Sequence, residues 1–172
     1  MPLEIKHTFD KETYRHFIND HEFVLHCHHY MTLTARLAED FAELGTVQVL
    51  REVTEDTIRP VLDDYFAEHD ITSPEERLAI GAEHYAFMGL GLMETSGTAN
   101  GGEVKLAHTH VDEGWIKKWD KHDKPVNHFT CGFVAAIFAA AFSKPARSYN
   151  VTEAESIVMG APESVLVVET AE

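Results

Sequence analysis

Between Pro125 and Pro145 the chain runs through residues 132–142, eleven positions without a polar or charged side chain, GFVAAIFAAAF. Such a run is too short for a membrane span, which needs about 20 apolar residues. It is also apolar on every side, whereas a surface helix keeps one polar face. The run therefore predicts a helix, started at Pro125 and carried to Pro145, that the rest of the chain must wrap. With 172 residues, 44% of them hydrophobic, the chain has enough apolar material to do so as one domain over 1–172. The same composition excludes intrinsic disorder.

The cover is expected to come in two kinds. Residues 1–90 read mostly as helices. Asp10 is placed to cap a short helix over 10–19. Phe23, His26, Tyr30, Leu33, Leu37, Phe41 and Leu44 recur at three- and four-residue steps, one face of a helix ending near Gly45. A third helix fits 47–66, with Pro60 at a kink or an early turn. Ser73-Pro74-Glu75-Glu76 starts a fourth, with a cap, a proline at the first helical position and two early carboxylates. Gly89 and Gly91 then break the pattern. Strands are expected at 92–96 and 103–110, a short helix with Trp115 and Trp119 at 112–119, and final strands at 148–159 and 165–170. Helices first and strands later predict an α+β fold: a helical N-terminal half packed on a mainly antiparallel sheet, with a C-terminal helix and hairpin.

Fourteen basic against 29 acidic residues give a net charge of −15, which repels phosphate backbones and anionic membrane surfaces. Neither nucleic acid nor membrane is an expected partner. The first residues lack a basic start followed by an apolar block, so a cytoplasmic location is expected. Two cysteines, Cys27 and Cys131, make neither a disulfide framework nor an all-cysteine zinc site.

Twelve histidines are the compositional oddity. In His26-Cys27-His28-His29-Tyr30, helical spacing brings His26 and His29 to one neighbourhood, where two imidazoles can take two positions on a transition metal. Equally, they can be core or interface histidines satisfied by hydrogen bonds. His84 lies with Glu83 in an otherwise apolar stretch, and a polar pair in a buried helix needs partners in the protein or on a ligand. His108 and His110 share one strand face near Asp112 and Glu113. His128 and Cys131 stand near a helix start, where a thiolate is favoured, although a lone cysteine is more often a buried filler.

The second half, through 127–132, 153–156 and Gly160-Ala-Pro-Glu-Ser164, resembles the 4-vinyl-reductase-like domain of the nitric-oxide-signalling and Golgi-transport ligand-binding superfamily, over 91–172. The resemblance implies an α+β homodimer with a pocket for a small or hydrophobic ligand. Family members commonly carry cysteines at three positions that here read Asn127, Ser156 and Ser164, so a thiolate metal site is not expected there. The same turn-and-strand pattern is similar to aminothiazoline-carboxylate hydrolase-like proteins, which keeps an enzymatic reading open.

Together these features predict a protein that binds a small, hydrophobic or aromatic molecule in a histidine-lined pocket. His26, His29, His84 and His128 are its candidate polar groups. Phe23, Tyr30, Phe87, Met88 and Phe133 are its candidate apolar walls. The alternative is a metal-dependent enzyme acting on a small organic substrate, hydrolytic or otherwise. In it two or three of the same four histidines, with Glu83 or Glu113, hold iron or zinc. A third possibility is a purely structural subunit of an assembly.

Overall fold

The computed structural model describes residues 3–171, apart from the side chain of His28. It opens on an antiparallel meander, β1 (His7–Asp10), β2 (Arg15–Ile18) and β3 (His21–Phe23). This replaces the helix expected over 10–19. Asp10 caps a turn instead of a helix: its carboxylate accepts from the Glu12 amide at 2.8 Å and from the Thr13 hydroxyl at 2.5 Å. Tyr14 then takes a left-handed conformation, φ 57°, that returns the chain. Aromatic and β-branched residues on both sides favour pairing over a helix.

Three long helices follow, α1 (His28–Asp40), α2 (Thr46–Glu68) and α3 (Pro74–Phe87). The helix expected from residue 23 begins only at His28, because β3 takes 21–23 and 24–27 are irregular. Gly45, at φ 78°, reverses the chain between α1 and α2. Ser73 caps α3 by accepting from the Glu76 amide at 3.3 Å, with Pro74 behind it as the sequence indicates.

Strands β4 (Gly91–Thr98) and β5 (Gly101–Thr109) lead to α4 (His110–Trp119) and α5 (His128–Ala141), and β6 (Tyr149–Glu155) and β7 (Ser164–Thr170) close the chain. The second sheet is antiparallel throughout, in the order β4-β5-β7-β6. The fold is α+β, with α5 at its centre. Residues 130–141 are all buried, and α5 packs on α2, α3 and β6. Two glycines allow the close approach. A side chain at Gly132 would stand 2.3 Å from the Arg51 carbonyl of α2, and one at Gly81 of α3 would meet Ile137 at 2.8 Å. The buried cluster draws on residues from Met31 to Val168, spanning both halves of the chain. Among the described residues no helix is long and apolar enough to cross a membrane.

Candidate functional site

The N-terminal meander lies over the end of α3. The Leu3 amide ties its start to α3 by donating to Glu83 at 2.6 Å, and the Glu4 amide ties it to α2 by donating to the Tyr65 hydroxyl at 2.9 Å. Between the meander and α3 lies a cavity of about 190 Å³. His84, Phe87 and Met88 line it from α3, His7 and His16 from the strands, and His26 from the segment before α1. His84 is 1% exposed, and neither ring nitrogen has a hydrogen-bond partner among the described residues. Burial, reinforced by nearby His21, pushes its pKa down to about 4. The ring is therefore neutral at physiological pH and offers one donor and one acceptor. His7 and His16 face each other across the hairpin, their rings stacked at 5.1 Å and joined by a 2.8 Å nitrogen–nitrogen hydrogen bond.

A larger groove of about 450 Å³ adjoins this chamber between α1 and α2. Phe23, Val24, His26 and Met88 line both spaces. Beyond them the groove is walled mainly by apolar side chains, among them Tyr30, Leu50, Val53, Ile58 and Phe129.

A third feature is a buried polar network at the foot of α5. The Asn127 side-chain amide donates to Asp112 at 2.7 Å and to Glu153 at 2.8 Å, and its carbonyl accepts from the Thr109 hydroxyl at 3.1 Å. Ser164 donates to the same Asp112 oxygen at 2.8 Å. Desolvation raises both carboxyl pKa values. For Glu153 the neighbouring Asp112 adds to the rise, and hydroxyl and amide hydrogen bonds oppose it at both sites.

The expected site residues are divided among these places. His26, His84 and Phe87 line the chamber, and Tyr30 lines the groove. His29 is exposed on α1, away from the residues that line either space. His128 is buried at the start of α5, where Glu39 binds one ring nitrogen and Arg51 lies 3.3 Å from the other. Phe133 is a core residue, packed edge-on to Tyr85 at 5.1 Å. The four candidate metal ligands are thus not gathered, and among the described residues no group of three or more His, Cys, Asp or Glu is placed to hold a metal ion. Nor do His108 and His110 share a strand face. His108 pairs with Glu113 at 3.1 Å on the surface, while His110 opens α4. Burial pushes the Cys131 thiol up to about 12, which removes the thiolate a nucleophile needs. Sequence reasoning missed His16, which lies in the stretch read as a helix, and His7, just before it, and did not connect Asp112 with Glu153.

No protein-family model matches the chain, and no curated protein matches it by sequence. Solved structures do. The phenol-responsive sensory domain of the transcription activator PoxR, solved with phenol, superposes with a TM-score of 0.77 at 12% identity, over 95% of this chain and 84% of that one. A vinyl-4-reductase family protein from Methanocaldococcus jannaschii gives 0.56 at 18% identity, over 87% and 85%. The chain has the 4-vinyl-reductase-like fold. A trafficking protein particle complex subunit 3 from Naegleria fowleri, covalently bound to palmitic acid, shares it more distantly, at 0.53 and 9% identity over 84% and 95%. At the three positions where the 4-vinyl-reductase resemblance implies cysteines, this chain has Asn127, Ser156 and Ser164. The Asn127 amide hydrogens are engaged by two carboxylates, so the set is a hydrogen-bond network of oxygen and amide groups and does not suit zinc.

Proposed function

We propose that this chain binds a small, largely apolar molecule, aromatic in the first instance, that carries one hydrogen-bonding group, in the chamber beneath the N-terminal hairpin. The observation that carries this reading is His84. A buried imidazole without a partner among the described residues leaves polar capacity unsatisfied at a cost of about 1–3 kcal/mol. A ligand hydroxyl satisfies it by accepting from one ring nitrogen or donating to the other. Phe23, Phe87 and Met88 supply the apolar surround. The fold shared with a domain solved with phenol supports the same class of ligand.

The test is a thermal-shift and calorimetric screen with phenol, benzyl alcohol and indole on the wild type and on His84→Leu. Wild type is expected to bind at least one of them, with Tm rising with ligand concentration. His84→Leu removes the hydrogen-bonding group while keeping an apolar side chain, and is expected to weaken binding about tenfold or more. No shift in the wild type with any compound, or equal affinity in the variant, refutes the reading.

A further inference from the structure

The chamber and the groove are walled in common by Phe23, Val24, His26 and Met88, yet they differ in size and chemistry. About 190 Å³ beside His84 suits a single ring, whereas the groove holds about 450 Å³. Its three threonines have their hydroxyls committed to their own helices: Thr34 donates to the Tyr30 carbonyl at 3.0 Å, and Thr54 and Thr57 donate to Leu50 and Val53 at 2.7 Å. They therefore have no uncommitted donor to offer an occupant. The partition between the spaces is the irregular segment 24–27, where Val24 is 78% exposed and Leu25 77%. Cys27 is held at the start of α1, where its carbonyl accepts from the Tyr30 amide at 3.0 Å, but residues 24–26 belong to neither strand nor helix, so they can make way for a ligand that crosses from one space to the other.

We propose that the ligand has two parts, an uncharged hydrogen-bonding head beside His84 and a hydrocarbon extension lying in the α1–α2 groove. This rests on the reading of the chamber given above and adds the class of molecule: a neutral amphiphile such as an alkylphenol or a long-chain alcohol. An anionic head is disfavoured because the buried His84 imidazole beside it is neutral, because Glu22 lines the groove, and because the chain's net charge is −15.

Calorimetric titration with phenol, 4-butylphenol and 4-octylphenol, and with octan-1-ol against octanoate, tests it. Affinity is expected to rise about two- to fourfold for each methylene that enters the groove. Octan-1-ol is expected to bind at least tenfold more tightly than octanoate. Thr57→Trp, at an exposed position that lines the groove, fills it and is expected to flatten the alkylphenol series while leaving the affinity for phenol unchanged. Phenol binding with no dependence on chain length overturns the extension, and so does a series that Thr57→Trp leaves intact. If Thr57→Trp changes the oligomeric state and the wild-type series is flat, the groove seats a second copy and the proposal fails. Octanoate binding as tightly as octan-1-ol overturns the uncharged head. Failure of every compound, phenol included, overturns the chamber reading itself.

Discussion

Asp112 and Glu153 share one amide where buried acids usually share a cation. Their raised pKa values mean that the folded state holds protons the unfolded chain releases, so their contribution to stability falls as pH rises above the ordinary carboxyl range. His84 has the opposite sign. Its pKa of about 4 lies below the ordinary histidine value of 6.5, so stability is fully present above 6.5 and is lost as pH falls toward 4, by up to about 3 kcal/mol. The two effects have opposite signs, so the wild-type profile is expected to be shallower than that of a variant lacking either one. Single substitutions unmask each part. Asp112→Asn keeps an oxygen to accept from Asn127 and Ser164 and removes the charge, so its stability should climb more steeply with pH. His84→Leu should leave stability falling with pH. Urea unfolding at half-unit pH steps measures both slopes, and equal slopes in the two variants refute the assignment.

At the scale of elements, the fold turns on how near α2 comes to α5. A methyl group at Gly132 would collide with the Arg51 carbonyl and with Thr54, whose Cβ lies 2.9 Å away, and backbone cannot rotate aside as a long side chain can. Gly132→Ala is expected to cost about 1–3 kcal/mol in urea unfolding, and stability equal to wild type would contradict the packing. The α5 run was legible because nothing but a buried helix can hold eleven successive apolar residues. The start of α3 was legible because Ser73 and Pro74 act locally. The N-terminal hairpin was not, since Asp10 can cap a helix or a turn and the choice rests on pairing with residues further along. That misreading hid His7 and His16 from the chamber. His84 stood out as a polar residue in an apolar stretch, while its chamber depends on a hairpin more than sixty residues away in sequence. The link between Asp112 and Glu153 passes through Asn127 on a third element, and no spacing along the chain encodes it.

At the scale of the whole molecule, one surface does not behave like the rest. Leu33, Leu37, Phe41 and Leu44 at α1 and the turn after it, with Val49 on α2, are each about half exposed or more. They form an apolar ridge of the kind that marks an interaction surface. Beside it Arg36 and Asp40 neutralise each other at 2.7 Å, while Glu43 stands exposed between Phe41 and Leu44. If a second copy covers this face, two such ridges bury each other's apolar side chains. The ridge adjoins the groove at Thr34, Leu50 and Val53, so variants at the ridge are read for ligand binding as well as for association. Sedimentation equilibrium is expected to give a dimer that tightens as salt screens the repulsion between two acidic copies. Leu37→Glu sets a charge in the middle of the ridge and is expected to shift the equilibrium toward monomer by at least tenfold. A wild-type monomer at all salt concentrations, or a Leu37→Glu variant that associates as tightly as wild type, rules out this face as the contact.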